Sequence, residues 1–198
     1  SNVEVINTYD SLLINYVSGI ENVYDDFLVL KTYDFNVNFS EALSTRKFRL
    51  PVCYDAEFGL DLKEISDRNK LTVAQIIELH TAPDYLLYFL GFLPGFLYLG
   101  GMDKKLAIPR KKQPRKMIEK GAVGIAENQT GIYPRSSPAG WQIIGNCPVD
   151  LFDPKLEIPS LFLPGDKIQF FAIDKEEYVF IKEQIRQNKY ELKPINNG

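Results

Sequence analysis

Three runs, GFLPGFLYLGG (91–101), IPRKKQPRK (108–116) and GIAENQTGIYPRSSPAGWQ (124–142), follow one another through the middle of a 198-residue chain. Residues 91–145 hold 9 of its 13 glycines but only 3 of its 26 acidic residues. From residue 85 onward, short apolar runs are interrupted by Gly, Pro and Asn, as at 86–92, 122–126, 141–145 and 168–173. Such spacing predicts a compact β-barrel or sandwich. The glycines allow backbone turns and the missing acids leave an anion-friendly surface, so the function is expected here.

Upstream the pattern is mixed. Val3, Val5 and Ile6 lead through Tyr9 and Asp10 to Leu12, Leu13, Ile14 and Val17, which predicts two antiparallel strands joined by a turn. A helix is predicted over 25–31. Phe48, Leu50, Val52 and Tyr54 alternate with Arg49, Pro51 and Cys53 and read as a strand. Asp61 with Glu64, and Thr72 with Gln75, have capping-box spacing and predict two helices. Asp174 with Glu177 opens a last helix, with Tyr178, Ile181 and Ile185 on one face.

Composition narrows the function classes. At 45% hydrophobic the chain can bury a sizeable core. A net charge of −3 gives no general pull toward nucleic acid. The longest uncharged run, 85–102, is broken by Gly91, Pro94 and Gly95, which argues against a membrane span. SNVEVINTY shows no basic leader followed by an apolar core. Cys53 and Cys147 are isolated, so a reducing cytoplasm is the expected location.

HTAPDYLLYFLGFLPGFLYLGG from His80, AIPRKKQPR from Ala107, GAVGIAENQTGIYPRSSPAGWQIIG from Gly121 and LFDP from Leu151 carry a resemblance. Over residues 3–173 the chain resembles the KipI / PxpB family, the B subunits of 5-oxoprolinase, also called allophanate hydrolase subunit 1. It is also similar to the N-terminal half of the urea amidolyase carboxyltransferase region. The resemblance implies an α+β fold: a small ferredoxin-like domain over 1–57, then a cyclophilin-like β-barrel over 58–198 with a helical lead-in and a C-terminal helix. Family members usually begin with a further strand and helix, so the first domain is expected to be incomplete.

The family's activity implies an ATP-dependent opening of 5-oxoproline to L-glutamate, at a site shared with a KipA/PxpC-like partner, with a PxpA-like protein as a further partner. The chain alone is expected to be inactive, and ATP with Mg is expected at the level of the complex. Two other branches remain open: an inhibitor of a sporulation histidine kinase, and a urea carboxylase or allophanate hydrolase relative.

His80, the single histidine, reads either as a general acid or base or as a helix-terminal residue packed on Tyr85. With one histidine and no acidic ligand spacing beside it, no metal site is expected. Ser136 and Ser137 lack a nucleophile elbow, which argues against a serine triad. Between residues 103 and 120, eight Lys and Arg face only Asp103 and Glu119. Most of these cations read as a solvated face. Arg110 and Arg115 stand apart because a proline beside each restricts the backbone and helps aim the guanidinium. With His80 they are the expected catalytic residues. Gly95 and Phe96, in a turn able to approach a ligand, and Gln129, Tyr133, Ser137, Trp141 and Gln142, a mixture of polar groups and one flat apolar ring, are the expected substrate-binding wall. No GK[ST] ends the glycine-rich run, so it is not a phosphate loop.

Overall fold

A computed structural model describes residues 3–7, 11–16, 23–32 and 46–195. The chain divides into two compact units, Ser1–Leu43 and Ser44–Gly198. In the first, strands β1 (Val3–Asn7) and β2 (Leu12–Tyr16) pair antiparallel, with Val5 opposite Ile14, and helix α1 spans Val23–Thr32. The hairpin and the helix are as expected; Val17 and residues 33–45 lie outside the described residues.

The second unit is built around a closed barrel of seven strands. These are β3 (Lys47–Cys53), β4 (Tyr85–Leu90), β5 (Leu97–Gly100), β7 (Ala122–Ala126), β8 (Gln129–Ile132), β10 (Gln142–Asn146) and β11 (Lys167–Ile173), in the order β10-β3-β11-β4-β5-β8-β7. All the neighbouring pairs are antiparallel except β3 with β11, which run parallel from Lys47 beside Lys167 to Cys53 beside Ile173. The architecture is α+β and consistent with a cyclophilin-like barrel. Strands β6 (Arg115–Ile118) and β9 (Ser137–Ala139) form a separate two-stranded ribbon.

The sequence alternation explains β3. Phe48, Leu50 and Val52 are fully buried, with Leu87, Leu97, Leu99, Val123, Ile125, Ile132, Ile168 and Phe170 in the same core. Burying each such side chain contributes about 1.5–3 kcal/mol. This also corrects the expected domain boundary at 57/58. Strand β3 lies between β10 and β11 and helps close the barrel, so the division falls between Leu43 and Ser44.

Two helices separate β3 from β4: α2 (Leu62–Asn69) and α3 (Val73–Thr81). Thr72 and Gln75 form the expected capping box. Asp61 precedes α2 without capping it through its side chain, which corrects the first capping expectation. The last helix, α4 (Lys175–Arg186), begins with the Asp174 carboxylate accepting from the Glu177 amide and buries Tyr178 and Ile181.

Candidate functional site

The turn between β4 and β5 sets one wall of the site. The Phe96 amide donates to the Leu93 carbonyl at 2.9 Å, and Gly95 adopts φ +84°. A Cβ on Gly95 would stand 2.4 Å from the Phe152 Cβ, so the position demands glycine both for conformation and for space. Phe92 also has a positive φ of 62°, uncommon for a bulky residue, and is left exposed at the lip. Phe96 turns inward and meets Tyr133 and Trp141 edge-on, with ring centroids 4.9 and 5.5 Å away, and Tyr98 at 4.6 Å. Phe92, Phe96, Tyr98, Arg110, Tyr133 and Trp141 line a cavity of about 230 Å³, closed further by Pro114 and residues 138–140. Burial raises the Tyr98 and Tyr133 phenols, more strongly for Tyr133, so both are neutral hydroxyls at physiological pH.

Among the described residues the basic segment divides into cations held by carboxylates and cations with none in reach. Asp61, almost fully buried, accepts from Arg115 at 2.8 and 2.7 Å, from Lys111 at 2.9 Å and from the Ile143 amide at 2.6 Å. Burial alone would push its carboxyl upward, but the bonds from Arg115, Ile143 and Lys111 prevail and hold it below the usual aspartate value. Lys111 also reaches Glu64 at 3.0 Å and the Gln142 carbonyl oxygen at 3.2 Å, and the Gln142 amide donates to the Pro109 carbonyl. Arg110 takes no part in this network. Its guanidinium lies 5.9 Å from the centre of the Trp141 ring and lines the aromatic cavity.

The residues expected at the site therefore separate. Phe96, Tyr133, Trp141 and Arg110 converge on one cavity. Arg115, also expected to be catalytic, is not among the residues that line it, and its fork is occupied by Asp61. Gln142 is committed to Lys111 and Pro109. Gly95 shapes the turn without lining the cavity, and Gln129, at the start of β8 opposite Ala126, is not among the lining residues. Ser137 opens β9, buried, with its hydroxyl donating to the Pro138 carbonyl.

His80 departs furthest from a catalytic role. It is fully buried, its Nδ1 lies 2.7 Å from the Tyr54 hydroxyl, its Nε2 lies 2.9 Å from Thr130 Oγ1, and its ring stacks on Phe170 at 4.6 Å. Desolvation lowers its pKa to about 3. A neutral, doubly hydrogen-bonded imidazole inside the barrel is a core residue, close to the packed alternative in which it meets Tyr85. Asp61 is the residue that sequence reasoning misses. Its spacing to Glu64 reads as a helix cap, and the partner that redirects it lies 54 positions away.

Residues 1–162 match the family described as carboxyltransferase domain, subdomain C and D. A 5-oxoprolinase B subunit from Bacillus subtilis (strain 168) is 46% identical over 151 residues, 76% of this chain and 60% of that protein. One from Haemophilus influenzae is 43% identical over 177 residues, 81% of this chain and 79% of that protein. Among solved structures, a conserved uncharacterized protein from Pyrococcus horikoshii is 41% identical with a TM-score of 0.66, over 89% of this chain and 81% of that one. The Kluyveromyces lactis urea amidolyase, 20% identical with a TM-score of 0.66 over 76% of this chain and 11% of that one, shares the fold alone. The chain thus spans about three fifths of the Bacillus subtilis relative.

Proposed function

Because the chain belongs to the carboxyltransferase-domain family of subdomains C and D, we propose that it works as the B subunit of an ATP-dependent 5-oxoprolinase, opening 5-oxoproline to L-glutamate at a site completed by a KipA/PxpC-like partner. The names of the relatives at 43% and 46% identity support this reading. The observation that carries it is Arg110, a guanidinium at the aromatic cavity with no carboxylate partner among the described residues.

5-Oxoproline is a small lactam ring bearing one carboxylate. Its ring suits the edge-on walls made by Phe96, Tyr133 and Trp141. The neutral phenols of Tyr98 and Tyr133 are donors suited to the lactam carbonyl. Arg110 meets the negative charge of the phosphoryl group as it passes from ATP to that oxygen, where a preorganised cation lowers the barrier. ATP, with Mg, enters this reading at the level of the complex: the lactam oxygen would take its γ-phosphoryl group as ADP leaves, water would add to the activated carbon so that the C–N bond breaks to an acyl phosphate, and a second water would release inorganic phosphate and L-glutamate. The described residues contain no group of three or more His, Cys, Asp and Glu side chains able to hold a metal ion, and Mg is assigned to none of them.

The remaining proton-transfer groups belong, in this reading, to the KipA/PxpC-like partner, and a PxpA-like protein completes the assembly; this chain alone is inactive. Among the described residues no helix is long and apolar enough to cross a membrane, and a cytoplasmic complex suits the use of ATP. The β1-β2 hairpin with α1 is read as part of a ferredoxin-like unit. Reconstitution with PxpA-like and PxpC-like relatives tests the proposal: ATP hydrolysis should depend on 5-oxoproline and should require this chain. Failure to form a complex, or a response to urea or allophanate in place of 5-oxoproline, would remove it.

A further inference from the structure

Arg68, Arg110 and Lys112 line a second cleft, of about 600 Å³, between α2 and residues 109–113. Among the described residues none of these three cations has a carboxylate within ion-pair distance. The one acidic residue lining the cleft, Glu64, is engaged by Lys111 at 3.0 Å. Gln113 and Gln142 complete the lining as neutral groups. The cleft therefore presents three uncompensated positive charges.

A run of lysines and arginines on a surface is ordinarily a solvated face. Here the backbone is held in place. The Lys111 amide donates to the Gly140 carbonyl at 2.7 Å, Gln142 holds the Pro109 carbonyl at 3.2 Å, and the Lys111 ammonium is drawn in by Asp61, Glu64 and Gln142. With Lys111 turned inward, Arg110 and Lys112 on either side are left to the cleft, opposite Arg68 in the last turn of α2. Like charges that face one cleft without a counter-ion repel one another, and a multivalent anion relieves this.

We infer that this cleft is a phosphate-chain site carried by this chain itself, and that it holds the phosphates of a nucleotide beside the aromatic cavity, with Arg110 common to both. The inference rests on the proposed ATP-dependent reaction. A lone carboxylate would neutralise one of the three cations, whereas the several oxyanions of a triphosphate match all of them. Recognition is through side chains, in keeping with the absence of a glycine-rich phosphate loop in the sequence.

Trp141 is the single tryptophan of the chain, and Arg110 lies 5.9 Å from its ring, so an anion that engages Arg110 changes the surroundings of the only indole. The test titrates inorganic triphosphate, ATP and succinate into the full 198-residue chain at fixed ionic strength, followed by tryptophan emission and, in parallel, by calorimetry. Saturable binding of triphosphate and ATP is expected, weakening as salt is raised, with succinate much weaker. Arg68→Ala and Lys112→Ala should each raise Kd by about fivefold or more, and Lys104→Ala, outside the cleft, should leave it unchanged. No saturable heat with either phosphate compound, triphosphate binding without ATP binding, or unaltered Kd in Arg68→Ala and Lys112→Ala would overturn the inference. If the chain binds no phosphate while the reconstituted complex consumes 5-oxoproline, the inference falls and the proposed function stands. If the chain binds phosphate while its complex ignores 5-oxoproline, the proposed function falls and the phosphate site stands.

Discussion

Arg115 and Asp61 meet in a two-point ion pair, Nη1 to Oδ2 at 2.8 Å and Nη2 to Oδ1 at 2.7 Å, and this pair ties the β6-β9 ribbon to the start of α2. Asp61 is nearly inaccessible, whereas Arg115 is about a quarter exposed (26%), so the carboxylate depends on its partners more than they depend on it. The basic segment is thereby fixed with Arg115 and Lys111 inward and Arg110 left over.

Replacing Asp61 should therefore be a structural lesion. Asp61→Ala leaves the Ile143 amide without its acceptor and two cations without their anchor, a cost of about 2–4 kcal/mol. Urea unfolding would show a lowered midpoint with little change in slope. A midpoint equal to the wild type would show that the network contributes nothing.

Arg110 and Arg115 should separate cleanly. Arg115→Ala is expected to lower stability by about 1–2 kcal/mol, because Lys111 and the Ile143 amide still serve Asp61. Arg110→Ala, which breaks no ion pair among the described residues, should melt within about 0.5 kcal/mol of the wild type. Thermal melts of the two variants side by side check the contrast, and equal losses would contradict it.

His80 should govern acid stability and not the pH profile of activity. Its folded pKa of about 3 lies below the ordinary histidine value of 6.5, so between those values the unfolded chain binds the extra proton. Stability is then full above about pH 6.5 and declines as pH falls toward 3. Asp61, whose carboxyl is also lowered, adds a further loss at more acidic pH. His80→Gln, where it folds, should flatten the decline between about pH 6 and 4, measured by urea titrations across that range. A decline of unchanged steepness in the variant would rule out the buried imidazole as its source.

Gly95→Ala should cost about 2 kcal/mol or more, since it combines a side chain at positive φ with an overlap on Phe152. Loss of tryptophan anisotropy or a shifted Trp141 emission would accompany the drop if the turn positions Phe96 against Trp141. A stable variant with unchanged emission would show that the turn does not require glycine.

The barrel is legible in the sequence because β3, β7, β10 and β11 announce themselves as short apolar runs between turn residues, and Thr72 with Gln75 caps a helix as their spacing indicates. The aromatic wall is legible in part: Phe96, Tyr133 and Trp141 all fall in the glycine-rich, acid-poor stretch. What cannot be read locally is decided by distant partners. Asp61 and Arg115 look like a cap and a free guanidinium until the fold brings them together, and His80 looks titratable until Tyr54, Thr130 and Phe170 surround it. Strand β3 looks like part of the first unit for the same reason: its partners β10 and β11 lie about a hundred residues further along. Lys112 and Arg68 acquire meaning only through the cleft that joins them.

Arg110, without a carboxylate partner among the described residues, is the group on which the proposed chemistry turns. The decisive comparison is 5-oxoproline-dependent ATP hydrolysis in a complex reconstituted with PxpA-like and PxpC-like relatives, with the wild-type chain set against Arg110→Ala. A fall in kcat/KM of about 100-fold with complex assembly intact is expected, in line with loss of one preorganised charge-stabilising group. Wild-type kcat/KM in the Arg110→Ala complex would show that the guanidinium plays no part in the reaction.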